Sequence, residues 1–311
     1  MSFKPMSKKK QRRRMFTREM RRAARKQDYI KVMLLIIFHY FADLSDLANN
    51  MKDPRHKSYV KYNQAHYVWL GIFKNLCNCE SIRDMTDDFN EEACIQLINI
   101  LSGNDVGNIP HGKSLNWYLS QLPPDELEFI RTQIIRRLIR SKAFNSARLL
   151  GTYWRVILDG TGLFYFKEKH CDHCLYEDHK NEDGTVTRRY YHKVLELKLV
   201  LNDKIVISLG TQFIENESPD VKKQDCELEA AKKLLPKIKK LFPRLPICLQ
   251  ADNLYCVETI MEMCSPAPKE EKGKGRKKNR AKDKDDEEEI HLDWRYIFTH
   301  KSSRQKVIGE A

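Results

Sequence analysis

Glycine is scarce in this chain, 12 residues in 311, and follows no period, which excludes a collagen-like fibre. Long apolar runs are missing as well. The most apolar stretch, Val32 to Phe38 (VMLLIIF), is about a third of the ~20 residues a membrane-spanning helix needs and lies between Lys31 and His39. It is expected to form a buried helix; no small-residue cleavage site follows it, so a secretory signal is not expected. A regular cysteine framework is also lacking. The nine cysteines follow no fixed spacing, an odd number cannot all pair, and several sit in apolar runs, as Cys248 does in PICLQA. The expectation is a reducing compartment with thiols free or metal-bound. No internal repeat is visible.

What is present is a folded protein with polar appendages: 41% hydrophobic, 10% aromatic and 32% charged residues, a balance that excludes wholesale disorder. The net charge of +13 is concentrated at one end. Residues 1–26 hold twelve basic side chains, among them Lys8, Lys9, Lys10, Arg12, Arg13 and Arg14, against the single acid Glu19. A basic arm (1–27) of this kind, carrying no lipidation signal, condenses onto polyanions, and DNA is the expected partner rather than a membrane. A merely solubilising tail is the plainer alternative.

Residues 28–150 read as a helical region and a candidate DNA-binding one. Asp28 is placed to cap the first helix. Apolar residues then recur at spacings of three and four in Tyr62–Cys77, Glu91–Leu101 and Pro124–Ile139, with turn dipeptides such as Asp53-Pro54 and Pro123-Pro124 in the breaks. The period then changes. Tyr153–Phe166, Tyr190–Leu201 and Lys204–Ile214 are rich in β-branched and aromatic residues, with Asn202-Asp203 a hairpin turn candidate between the last two. A helix over Cys226–Phe242 follows, in which Pro236 predicts a kink or an earlier end. A strand (Leu245–Ala251), a helix (Tyr255–Cys264) and a last strand-like run (Trp294–Thr299) complete the order. Residues 265–290, a basic block followed by an acidic one, are expected to be a solvated, disordered insertion.

Two of the strands end alike, Val156-Ile157-Leu158-Asp159 and Leu249-Gln250-Ala251-Asp252. If these strands are neighbours, their carboxylates meet at one edge, where a divalent cation, Mg²⁺ or Mn²⁺, lets two anions coexist and serves phosphoryl transfer. The plainer alternative makes Asp159-Gly160 and Asp252-Asn253 turns. Together with Lys223-Gln224-Asp225-Cys226-Glu227 and Pro246–Tyr255 (PICLQADNLY), the strand-borne Leu158-Asp159-Gly160-Thr161 resembles the catalytic domain of bacterial insertion-sequence DDE transposases. The resemblance covers roughly residues 30–300. It implies an RNase H-like mixed-sheet core over 151–311, preceded by an all-α N-terminal region in an α/β protein. It further implies that Asp159 and Asp252 are the first two metal-binding catalytic carboxylates of an enzyme that cuts transposon ends and joins a 3′-hydroxyl to target DNA. Multimers are common in that family, and a bacterial cytoplasmic, nucleoid-associated location goes with it. The family's third acid is a glutamate on a helix after the last strand; Glu310 is the sole acid beyond WRYIFT. Either Glu310 fills that role or, the preferred expectation, the copy is truncated at its C-terminus and catalytically incomplete. A nuclease or recombinase of the same fold without strand joining, and a DNA-binding protein that has lost the chemistry, are the alternatives.

A second constellation is His170-Cys171-Asp172-His173-Cys174, with His179 and His192 beyond it. Cys171 and Cys174 with two of His170, His173, His179 and His192, foremost His170 and His179, have the ligand types and spacing of a structural zinc site. Such a clip would order Lys167–Arg189, otherwise a long polar loop. A flexible hairpin with incidental Cys and His is the alternative. Asp225 is expected to cap the following helix; Glu227 and Glu258, in helices, could approach the aspartates, with facing solvent from the helix as the plainer and preferred reading. The aromatics Tyr67, Trp69, Phe73, Trp117 and Tyr118 read as core. The cluster Arg131, Arg136, Arg137, Arg140 and Lys142 is the DNA-facing candidate of the helical region, with a solvated helix face as its alternative.

Overall fold

The computed structural model describes residues 31–216, 225–267 and 291–299. Asp28, the basic residues 8–14, Glu310 and nearly all of the 265–290 insertion lie outside these residues. The chain divides into two compact units, residues 1–134 and 135–311, with the dividing line inside a helix.

In the first unit a helical run over residues 31–40 leads into α1 (Leu44–Asn49), α2 (Gln64–Leu76), α3 (Ile82–Phe89), α4 (Glu92–Ser102) and α5 (Gly112–Gln121); α6 (Pro124–Arg140) continues into the second unit. Local chemistry sets the starts. The Asn63 side chain accepts from the His66 amide to begin α2, and Ser81 with Asp84 forms a reciprocal capping box at α3. The apolar positions of α2 recur at helical spacing and bury Tyr67, Trp69, Leu70 and Phe73 with Ile98 and Leu101 of α4 and Leu115 and Tyr118 of α5. Trp117 departs from expectation and is 52% exposed. The run 31–40 also departs: Val32, Leu35, Ile36 and Phe38 are exposed, and the first buried apolar side chains downstream are Phe41 and Leu44. Among the described residues no helix is long and apolar enough to cross a membrane.

The second unit is a mixed α/β layer with an open, mixed sheet. Its strands are β1 (Trp154–Phe166), β2 (Leu175–Lys180), β3 (Val186–Val200), β4 (Val206–Ile214), β5 (Ile247–Ala251) and β6 (Arg295–Phe298), in the order β2-β3-β1-β5-β6, with β4 also on β3. β1, β5 and β6 are mutually parallel, and β3 is antiparallel to β1, β2 and β4. The long β3 thus gives one edge wholly to β1 and divides the other: Val186–Tyr191 pairs with β2 and Lys193–Val200 with β4.

Helix α7 (Glu227–Leu241) lies on one face of the sheet. Trp154, Val156 and Leu158 of β1 and Leu195, Leu197 and Leu199 of β3 alternate into a core with Ala230, Ala231, Leu234, Leu235 and Ile238 of α7. The helix runs through Pro236, which is buried, to Leu241, rather than ending early. After β5 and α8 (Glu258–Cys264), the described chain runs to Ala267 and resumes at His291; the Leu292 amide donates to the Met263 carbonyl at 2.7 Å, and the Trp294 amide bonds to Cys264 O.

Lys167–Arg189, expected to be a long loop, contains β2 and the start of β3. Opposite charges on facing residues make this hairpin legible in hindsight: Arg188 holds Asp178 at 2.7 and 2.9 Å and covers the Tyr176 ring. The turn uses Gly184 at φ +82°, a conformation glycine adopts freely.

Candidate functional site

The parallel register of β1 and β5 pairs Ile157 with Gln250. Two residues further on stand Asp159, inside β1, which continues to Phe166, and Asp252, just past the end of β5, so the two residues come beside each other where β5 ends against the middle of β1. Asp159 is within β1 and makes no turn. Asp252 combines both expectations: it follows β5 directly, and one of its oxygens accepts from the Leu254 amide at 2.8 Å to open a short 3₁₀ turn. Both side chains are exposed, and neither is ion-paired among the described residues. Exposed carboxylates of this kind are oxygen ligands suited to a divalent cation.

Neighbouring strands add a carboxylate that sequence reasoning missed. Glu196 of β3 stands directly opposite Asp159, and the Thr211 hydroxyl of β4 donates to it. A polar residue between Leu195 and Leu197 was the available signal.

The other face of β1 at this point belongs to α7. Glu227, expected in solvent, instead lies on Gly160: a Cβ built there would be 2.5 Å from the Glu227 carboxyl carbon. Its carboxylate pairs with Lys193 of β3 and accepts a 2.6 Å hydrogen bond from the Tyr255 hydroxyl. Burial, that hydrogen bond, and the negative charges of Glu227, Asp252 and Asp159 drive the Tyr255 phenol far above its ordinary pKa. One neutral hydroxyl therefore sits within the field of all three carboxylates. Glu258 is exposed at the start of α8. The cap position of α7 is Cys226, not Asp225; the Asp225 carboxylate accepts from the Cys226 amide at 2.8 Å and stands 3.9 Å from Lys233.

Where β3 passes from β2 to β4, Cys171, Cys174 and His192 converge. The two sulfurs are 3.6 Å apart, and His192 Nε2 is 3.4 and 3.5 Å from them. His179 is elsewhere, on β2, bonded to Glu177 at 2.9 Å. His173 bonds to the Asn216 carbonyl at 2.8 Å, and His170 stacks on Phe166 with its ring 6.4 Å from that of His192.

Of the arginine cluster, Arg136 is committed to packing: its Nε donates to the Leu241 carbonyl at 3.0 Å and its guanidinium lies against Phe242. Arg131 holds Glu128 at 2.8 Å, and Arg137 is half-buried. A different surface of the helical unit combines cations with open rings. It is a groove of about 640 Å³ whose lining includes Tyr59, Lys61, Lys113 and Trp117, with Tyr59 84% exposed. Its floor is built on Arg55, fixed by Asp53 and covering Tyr67 and Tyr118 at about 5 Å.

Comparison with models of known protein families, with curated proteins and with solved structures finds no match to this chain.

Proposed function

We propose that the second unit is an RNase H-like nucleic-acid-processing core of the DDE transposase type, acting on DNA with a divalent metal at Asp159 and Asp252. The single observation that carries the proposal is that Asp159, inside β1, and Asp252, just past the end of β5, lie two residues beyond a register pair of adjacent parallel strands, neither held by a cationic side chain among the described residues. The order of strands and helices around them, four strands in antiparallel pairings, a helix, then two further strands parallel to the first and separated by a helix, supports it. So do the LDGT and PICLQADNLY segments.

Asp159 and Asp252 would hold the ion, Mg²⁺ or Mn²⁺, which when bound supplies Lewis-acid polarisation of a phosphodiester. The remaining work falls to the protein. Lys193 and Tyr255 fix Glu227 on Gly160 and so hold the N-terminus of α7 against β1 beside the aspartates. Glu196, held by Thr211, adds negative charge next to Asp159 and strengthens attraction for a cation there. The groove with Tyr59, Lys61, Lys113 and Trp117 offers rings for base stacking and ammonium groups for phosphate, the combination that single-stranded or unpaired nucleotides require. DNA is the partner this reading assigns to both the groove and the basic arm.

The test is Mg²⁺- or Mn²⁺-dependent cleavage of DNA carrying the element's own ends by the full chain and by Asp159→Ala and Asp252→Ala. If the third acid is present and the unmodified chain cuts this DNA, metal-dependent cleavage should fall at least a hundredfold in both variants, with DNA binding retained. Cleavage unaffected by either substitution rejects the proposed site. DNA bound but not cut by the unmodified chain supports the non-catalytic alternative instead.

A further inference from the structure

We infer that Cys171, Cys174 and His192 form a zinc site, completed by His170, that fastens the β1–β2 connection to the middle of β3. The inference is independent of the carboxylate pair and of any activity on DNA.

Ligand spacing comes first. A tetrahedral zinc ion with Zn–S of about 2.3 Å and Zn–N of about 2.0–2.1 Å sets its ligand atoms roughly 3.8 Å apart for two sulfurs and roughly 3.6 Å for sulfur and nitrogen. The observed separations are 3.6 Å for the sulfurs and 3.4 and 3.5 Å for sulfur to nitrogen. Three vertices of the tetrahedron therefore stand within about 0.2 Å of the required spacing. A disulfide needs the sulfurs near 2.05 Å, and both cysteines are free thiols.

The surroundings fit as well. The Cys171 amide donates to Cys174 Sγ at 3.4 Å, a backbone hydrogen bond that favours a thiolate, and the Cys174 amide returns to the Cys171 carbonyl to close the turn. Buried Asn216, at the end of β4, holds the turn from outside: its side-chain amide donates to Cys174 O at 2.9 Å and its backbone amide to His173 O at 3.2 Å. His173 is held through Nδ1 by the Asn216 carbonyl, which leaves Nε2 as its one free ring nitrogen, and that nitrogen is not gathered with the two sulfurs and His192 Nε2. His179 is removed by the register of β2, which places it opposite Thr187, several residues from the turn. His170 remains, exposed, adjacent in sequence to Cys171 and beside His192. As the fourth ligand His170 would have to turn its ring off Phe166, on which it stacks.

His192 gives the site its purpose. It stands between Tyr191, the last β3 residue paired with β2, and Lys193, the first paired with β4, and opposite Phe164 beside a bulge in β1. Among the described residues no single strand spans the joint on that edge of β3, and a metal bound there links the turn directly to the interrupted pairing.

The experiment is elemental analysis of the full chain, purified without chelator or affinity metal, followed by replacement with cobalt(II). The expected result is one zinc per chain and, after replacement, an intense visible band of tetrahedral cobalt with thiolate-to-metal charge transfer. Cys174→Ser and His192→Ala should each lower zinc occupancy at least tenfold at equal protein concentration. His170→Ala should retain both thiolate bands with a changed visible envelope. Because a variant can fail to fold, the unmodified chain is also stripped with chelator and refilled: loss of thermal stability on stripping and its recovery with zinc alone support the site. Absence of zinc together with failure to bind cobalt overturns the inference, as does a Cys171–Cys174 disulfide in protein purified under reducing conditions. An unchanged cobalt spectrum in His170→Ala overturns the fourth ligand.

Discussion

A single buried imidazole shows how burial sets protonation in the helical unit. His66 is 0% exposed, its Nδ1 lies 3.3 Å from the Ser102 hydroxyl, and its Nε2 has no hydrogen-bond partner among the described residues. Burial alone pushes its pKa down to about 4, against about 6.5 when exposed. The unfolded chain therefore binds this proton more readily than the folded one between these values. The contribution of neutral His66 to stability is complete above about pH 6.5, declines as pH falls, and is exhausted near pH 4. The size of the loss is on the order of 3 kcal/mol, from a shift of roughly two and a half units at about 1.36 kcal/mol each. Denaturant titrations at about pH 7 and about pH 4.5 should show this difference, and His66→Gln should remove most of it; an equal decline in both proteins refutes the assignment.

At the scale of elements, the contact between β1 and α7 depends on a missing side chain. Gly160→Ala would drive a methyl group into the Glu227 carboxyl, displacing it from Lys193 and Tyr255. A cost of about 1–3 kcal/mol is expected, read as a lowered Tm. In the double variant with Glu227→Ala the two effects should fall short of their sum by about 0.5–3 kcal/mol, since the clash is gone; strict additivity would show that the two residues do not meet. Strands whose side chains alternate between core and solvent were legible from sequence, β1 most clearly. β2 was not, because after Leu175 and Tyr176 it is polar on both sides and is held by cross-strand charge pairs that acquire meaning only once the register is known. The same register explains the histidines. Spacing could not choose between His179 and His192, whereas the pairing of Leu175 with Tyr191 carries the latter to the thiols. Asp252 follows the end of β5 as its apolar run suggested, whereas Asp159, read as a strand end, lies inside β1, because the less buried half of that strand, Asp159 to Phe166, is still held by β3. Glu227 was misjudged because its partners, Lys193 and Tyr255, come from distant elements.

Over the whole molecule the decisive asymmetry is charge. Nearly all of the net +13 belongs to residues 1–26, while the groove around Trp117 binds, on the reading given above, through its rings as well as its lysines. These two modes separate in salt. The logarithm of DNA affinity should fall steeply with the logarithm of salt concentration for the full chain, and removal of residues 1–26 should flatten the slope by up to roughly ten, given about 0.9 per phosphate neutralised. Trp117→Ala should lower affinity at every salt concentration with the slope unchanged, because stacking releases no counterions. Titrations followed by fluorescence anisotropy at several salt concentrations measure both; an unaltered slope after loss of the arm would remove it from the interface.

The closeness of Met263 and Leu292, joined by a hydrogen bond across the segment between them, makes that position a port for foreign sequence. Closing a longer excursion costs only about 0.6 kcal/mol for each doubling of its length. A fluorophore-binding tag or a small folded domain spliced between residues 268 and 290 would enter and leave at a point already pinned by the sheet, giving a handle on the molecule that leaves β5, β6 and the two aspartates where they are.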